Sequence, residues 1–176
     1  MKDLAPRIVL GCILILVPTV ATFGQQTANQ EANIQNAATY GSRGLAKERK
    51  GDLDGAMADY DQAIRLNPKG AVAYNNRGNV KFRKGDLNGA MADYNQAIKL
   101  NPKEVAFYNN RGNIESRKGD LNGAMGDYNQ AIRLNPKYGL AYRNRGNAKR
   151  KKGDLDGAIA DFNQAIKLGV TTYSSE

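Results

Sequence analysis

The sequence predicts an all-α chain, a solenoid of four antiparallel helix pairs stacked end to end, and three observations carry that prediction. A 34-residue unit occurs four times in succession, over Ala37–Gly70, Ala71–Glu104, Val105–Tyr138 and Gly139–Thr172. The phrase R-G-x-x-K/E-x-x-K-G-D-L-x-G-A begins in turn at Arg43, Arg77, Arg111 and Arg145. Within each unit the apolar residues recur at helical spacing, between residues that start and stop helices. A fixed period of this size marks a stacked-repeat architecture. The repeats take up most of the 176 residues, so no second globular domain is expected.

The N-terminus is of a different kind. Lys2 and Arg7 precede an uncharged run, Ile8–Val20, that contains Pro18. A basic start before a short apolar run reads as a signal peptide, residues 1–24, and predicts export to a periplasm or the outside. Cleavage is placed after Gly24 in preference to Ala21. The alternative is an uncleaved N-terminal helix that anchors the chain, although a spanning helix takes about 20 residues. Cys12 is the only cysteine, so no internal disulfide can form. It is read as a small hydrophobe within the apolar run, not as a lipid attachment site. Residues 25–36, QQTANQEANIQN, form a polar linker or the start of the first helix.

Repeat two shows the logic of the unit. Leu87, Ala90, Met91, Tyr94, Ala97 and Ile98 fall on one face of a helix. Asp86 suits its N-cap, and Gly85 the left-handed residue that closes the helix before. Asn101-Pro102 ends it, because a residue before proline is pushed out of the α region. Upstream, Ala73, Tyr74, Gly78, Val80 and Phe82 mark a second helix with a thinner apolar set. Neither helix can bury its face alone, so the pairs must stack.

These residues resemble the tetratricopeptide repeat family. The family's pattern asks for an aromatic at repeat position 4, and Tyr40, Tyr74, Tyr108 and Tyr142 stand there. Glycine at position 8 is met by Gly44, Gly78, Gly112 and Gly146, and alanine at 20 by Ala56, Ala90, Ala124 and Ala158. Tyr60, Tyr94, Tyr128 and Phe162 fill position 24, and Ala63, Ala97, Ala131 and Ala165 fill position 27. The resemblance implies a right-handed superhelix whose first helices line a concave face. Three features depart from the pattern. Position 7 is arginine, position 11 is Lys47, Lys81, Glu115 and Lys149, and Gly169-Val170 replaces the last proline.

Arg43, Arg77, Arg111 and Arg145 share a helix row with the tyrosines, so they point at least partly inward. An inward charge costs several kcal/mol unless it is paired. Asp59, Asp93, Asp127 and Asp161 follow 16 residues later, in mid-helix, where aspartate is a poor helix former. A structural ladder of Arg–Asp pairs within the repeats is expected. Pairing across repeats and exposure to solvent are the alternatives.

Mapping the family's groove positions onto the chain gives a candidate partner-binding surface. Asn75, Asn76, Asn79, Asn109, Asn110, Asn113, Asn144 and Asn147 supply amides; Arg83, Arg117, Arg143, Arg150 and Lys151 supply positive charge. Amides can pair with the backbone of an extended peptide, and the cations favour acidic side chains or a terminal carboxylate. The family's carboxylate clamp asks for Lys, Asn, Asn, Lys and Arg, where this chain has Asn75, Asn79, Asn110, Leu140 and Asn144. Two of the five match, so that particular ligand is not expected.

Several classes are set aside. The chain has no histidine, and none of the common catalytic or phosphate-binding motifs is present. Asp52-Leu53-Asp54-Gly55 resembles part of a calcium loop, yet Ala56 offers no oxygen and a helix cap explains the run better. No enzyme activity, cofactor or metal site is expected. The formal charge is +9, and Arg143, Arg145, Lys149, Arg150, Lys151 and Lys152 crowd one helix. No aromatics are interleaved there for base stacking, so nucleic acid is not the expected partner. The function expected is a non-enzymatic scaffold for a protein or peptide. The alternative is a self-associating structural protein, because GVTTYSSE leaves the face of Leu155, Ile159, Phe162 and Ile166 partly uncovered.

Overall fold

The computed structural model describes residues 20–170. The expected signal peptide, Cys12 and the tail 173–176 fall mainly or wholly outside those residues. The chain divides into two compact units, Met1–Ala32 and Asn33–Glu176. The described residues of the first are helical, and residues 25–36, which run from it into the second, are helical throughout. No described helix is long and apolar enough to cross a membrane.

Eight helices, and no strand, make up the described residues: α1 Val20–Arg49, α2 Leu53–Leu66, α3 Ala71–Arg83, α4 Leu87–Leu100, α5 Val105–Arg117, α6 Leu121–Leu134, α7 Gly139–Lys151 and α8 Leu155–Lys167. In the second unit the part of α1 from Asn33 onward meets α2, α3–α4, α5–α6 and α7–α8 form antiparallel pairs, and α2, α4 and α6 each receive the first helix of the next pair. Helix α3 touches α5, and α5 touches α7, whereas α4 and α6 do not meet. The first helices therefore form the inner wall of the stack.

Local chemistry sets the turns. Gly51, Gly85, Gly119 and Gly153 take φ between +83° and +87°, a region in which glycine alone is unstrained. The next residue caps the second helix: Asp52, Asp86, Asp120 and Asp154 each accept a bond of 2.8–2.9 Å from the backbone N–H three residues on. The Asp52–Gly55 run is thus a helix cap.

Within a pair the helices meet through glycine and an aromatic ring. A Cβ at Gly44, Gly78 or Gly112 would lie 2.7–2.8 Å from the ring of Tyr60, Tyr94 or Tyr128, and Phe162 stands as close to Gly146. The core is correspondingly modular. Ala56 and Tyr60 pack on Val80, Ala90 and Tyr94 on Ile114, and Ala124 and Tyr128 on Ala148. Each cluster thus joins one repeat to the next.

Candidate functional site

The inner wall depends on polar pairs that hold the repeats in register. Each first-helix arginine forks onto the aspartate of its own repeat. Arg77 reaches Asp93 at 2.9 and 2.6 Å, Arg111 reaches Asp127 at 2.7 Å through both nitrogens, and Arg145 reaches Asp161 at 2.8 and 2.6 Å. Arg43 holds Asp59 in the same way, with Nε 2.8 Å from Oδ2. The third nitrogen of the fork crosses to the preceding repeat: Arg77 to Asp61, Arg111 to Asn95 and Arg145 to Asn129, at 2.6–2.8 Å. Each guanidinium also lies over its own tyrosine ring, at 4.6–5.9 Å. One side chain therefore serves both of the pairings that spacing left open.

The aspartates are buried, and their charge is compensated twice over. Lys47, Lys81 and Lys149 add a second cation at 3.0, 2.8 and 3.0 Å. The Arg43 fork holds the Asp59 carboxyl down at about 2, against the opposing effect of burial. Burial likewise opposes ionisation of Asp161, but Arg145 and Lys149 keep it below its usual range. Repeat three is different. Glu115 occupies the lysine position, its Oε2 buried without a partner. Burial, then the adjoining Asp127 charge, push it up to about 7, with Arg111 opposing and Asp120 adding to the rise.

The asparagines divide into two groups. Asn75 and Asn109 are buried, 8% and 5% exposed. Asn110 donates to the carbonyl oxygens of Asn75 and Asn79, at 2.9 and 3.2 Å, and Asn144 does the same to Asn109 and Asn113, at 2.9 and 3.0 Å. Tyr94 and Tyr128 hydroxyls donate to Asn79 and Asn113 at 2.6 and 2.9 Å. Each such node ties two repeats together. Among the described residues, Asn79 and Asn113 have an unengaged NH2 and Asn110 and Asn144 an unengaged carbonyl oxygen. Donor and acceptor so alternate along the wall.

Two cavities open on this wall. One, of about 280 Å³, lies between Asn79, Asn110, Asn113, Arg83, Phe82 and Glu48. The other, of about 420 Å³, is bounded by Asn113, Asn144, Asn147, Arg117, Arg150 and Lys151, with Phe82 and Ser116. The Arg117 guanidinium rests on the Phe82 ring at 4.8 Å. Arg83 donates to Glu48 at 3.3 Å. A third cavity, of about 350 Å³ and almost wholly apolar, lies between α1 and α3 among Ile34, Ala37, Leu45, Ala63, Val72 and Ala73.

Family models with the descriptions "TPR repeat" and "tetratricopeptide repeat" match residues 44–85, 78–117 and 112–151, and residues 139–169. The chain belongs to the tetratricopeptide repeat family. Members of this TPR family are scaffolds for protein interaction. A crystal structure of MamA is similar in fold, with a TM-score of 0.70 at 21% identity over 88% of this chain and 96% of that one. The first TPR of Spaghetti (RPAP3) bound to HSP90 peptide SRMEEVD has a TM-score of 0.66 at 24% identity, over 68% and 95%. TTC0263, a thermophilic TPR protein in Thermus thermophilus, has a TM-score of 0.67 at 22% identity, over 75% and 74%. At these identities the likeness is one of fold. No curated protein matches the sequence.

Against this TPR frame the sequence-based site needs correction. Asn79, Asn110, Asn113, Asn144, Asn147, Arg83, Arg117, Arg150 and Lys151 line the two polar cavities. Asn75 and Asn109 do not; they are buried beneath the next repeat, which takes their carbonyl oxygens. Asn76 borders the apolar cavity instead, because repeat one offers Gly41 and Leu45 where a node would need asparagines. Arg143 lines neither polar cavity. Sequence reasoning missed Glu48, Phe82 and Ser116 as wall residues. All three stand at repeat position 12, the position of Arg150, and reading that column across repeats would have found them.

Proposed function

We propose that the inner wall binds an extended, acidic segment of a partner protein. The observation that carries this reading is the run of amides with alternating donor and acceptor, flanked by Arg117, Arg150 and Lys151. An extended backbone also presents alternating N–H and C=O groups, so it can pair along such a wall without requiring one sequence. Arg117, Arg150 and Lys151 lie toward repeats three and four, and Glu48, the one acid among the described residues lining the two polar cavities, is already engaged by Arg83. Carboxylates of the segment would therefore lie at the α5–α7 end, where arginine can hold them bidentately. The apolar cavity between α1 and α3 would take an alkyl or aromatic side chain at the other end.

Two further points support the reading. The RPAP3 domain is bound to a peptide, SRMEEVD, rich in carboxylates. The basic start and apolar run before Val20 support an exported location for the encounter.

Fluorescence anisotropy with a dye-labelled decapeptide of alternating Glu and Ala, and its Gln-for-Glu counterpart, tests the proposal. The acidic peptide should bind at least about tenfold more tightly, and Arg117→Ala with Arg150→Ala should abolish most of that difference. Equal binding of the two peptides, or none, would overturn it.

A further inference from the structure

The two ends of the stack are the two halves of one repeat junction, and we propose that they dock head to tail with a second copy of this chain. Every internal junction uses the same pieces. The lysine before the turn of one repeat reaches back to the first turn of the preceding second helix: Lys84 to Asp54, Lys118 to Asn88 at 2.9 Å and Lys152 to Asn122 at 2.5 Å. The arginine fork crosses from Arg77, Arg111 and Arg145 to Asp61, Asn95 and Asn129. A small or aliphatic residue, Val80, Ile114 or Ala148, is buried against the preceding cluster.

At the ends, among the described residues, the cross-repeat half of each contact is missing. Just past the end of α1, the Lys50 side chain makes no bond to a described residue, and Arg43 on α1 is 55% exposed where its counterparts are 19–25%. Thr39 and Ala46 are exposed, although Ala141 and Ala148 at the same repeat positions are buried. On α8, Leu155, Ile159 and Ile166 are 55–59% exposed, and their counterparts Leu121, Met125 and Ile132 pack against neighbours. Asp156 and Asn163 occupy the positions that receive the lysine and the arginine inside the stack.

Continuing the 34-residue register from α8 of one copy to α1 of the next pairs Lys50 with Asp156, Arg43 with Asn163, and Ala46 with Leu155 and Ile159. The charges complement each other, and Ala46 matches Ala148, the small residue that α7 presents to α6. The contact is heterologous, so it leaves a free end at each addition and does not stop at two copies. A single-junction interface is also small, so association belongs to the weak class and grows with concentration.

Sedimentation velocity over a wide concentration range, on the chain with the N-terminus its host leaves on it, tests the inference. Average mass should rise past that of a dimer without a plateau. Ile159→Glu, at an exposed position, should leave the helical melt unchanged and weaken association by roughly tenfold or more. Lys50→Asp and Asp156→Lys should each weaken it about two- to fivefold at low salt, and the double swap should restore it. A monomer at every concentration would overturn the proposal, as would association indifferent to Ile159→Glu. A dimer that stops growing and ignores the Lys50 and Asp156 swaps would mean that α8 pairs with α8, which overturns it equally.

Discussion

The junction between repeats one and two and those that follow have the same period and different chemistry. In the later two, Asn110 and Asn144 each bridge two asparagines of the preceding repeat, and the wall closes over the buried amides. In the first, Asn76 faces Gly41 and Leu45, no node forms, and an apolar cavity of about 350 Å³ opens instead. The Arg77 fork meets a full carboxylate there, Asp61, where Arg111 and Arg145 meet neutral amides. Repeat identity thus hides a division of labour: the first junction is held by charge and lined by apolar side chains, and the later two are held by amides and lined by polar ones.

The comparison can be broken most forcefully at the element common to all repeats. Asp93→Ala strands Arg77 and Lys81 around a buried site and should destabilise the chain by about 3–5 kcal/mol in a urea titration. Gly78→Ala drives a methyl group into the Tyr94 ring and should cost about 1–3 kcal/mol by thermal melt, in a repeat whose other contacts are intact. The amides give the sharpest contrast. Asn110→Ala leaves the Asn75 oxygen buried without a donor and should cost roughly 1–3 kcal/mol, whereas Asn76→Ala should change stability by less than about 0.5 kcal/mol.

Glu115 provides the subtlest test, since it sets repeat three apart from the others. Its folded pKa, about 7, lies above the ordinary 4.5, so between those values the folded chain holds a proton that the unfolded chain has lost. Its contribution to stability is therefore complete below about 4.5 and is lost as pH rises to about 7. Asp59 acts in the opposite sense: its contribution is present above 3.8 and is lost as pH falls toward 2. Denaturant midpoints measured from pH 4.5 to about 7 should fall in the natural chain and stay nearly level in Glu115→Lys, which installs the missing Lys–Asp bridge.

Much of this was legible in the sequence. The turns were readable because a glycine with positive φ and an aspartate cap act within a few residues of each other. The position of Arg77 and Asp93, 16 residues apart on facing helices, follows from the length of one hairpin. The roles of the asparagines were not readable in the same way. Asn75 and Asn79 lie one turn apart on a single stripe, and which of them is covered depends on where Asn110, 35 and 31 residues away, falls once the pairs are stacked. That is a property of the angle between repeats, which no single repeat contains. The apolar cavity escaped notice for the same reason: Leu45 and Val72 become neighbours only when α3 is set against α1.

The central claim is that the inner wall meets its partner through amides left unengaged by the nodes. Side-chain NH2 resonances in a nitrogen–proton correlation spectrum, recorded during titration with the Glu–Ala decapeptide, test it most directly. Shifts at Asn79, Asn113 and Asn147, with Asn75 and Asn109 unmoved, are the predicted result. Shifts confined to the outer helices α4 and α6, with the inner asparagines silent, would contradict it.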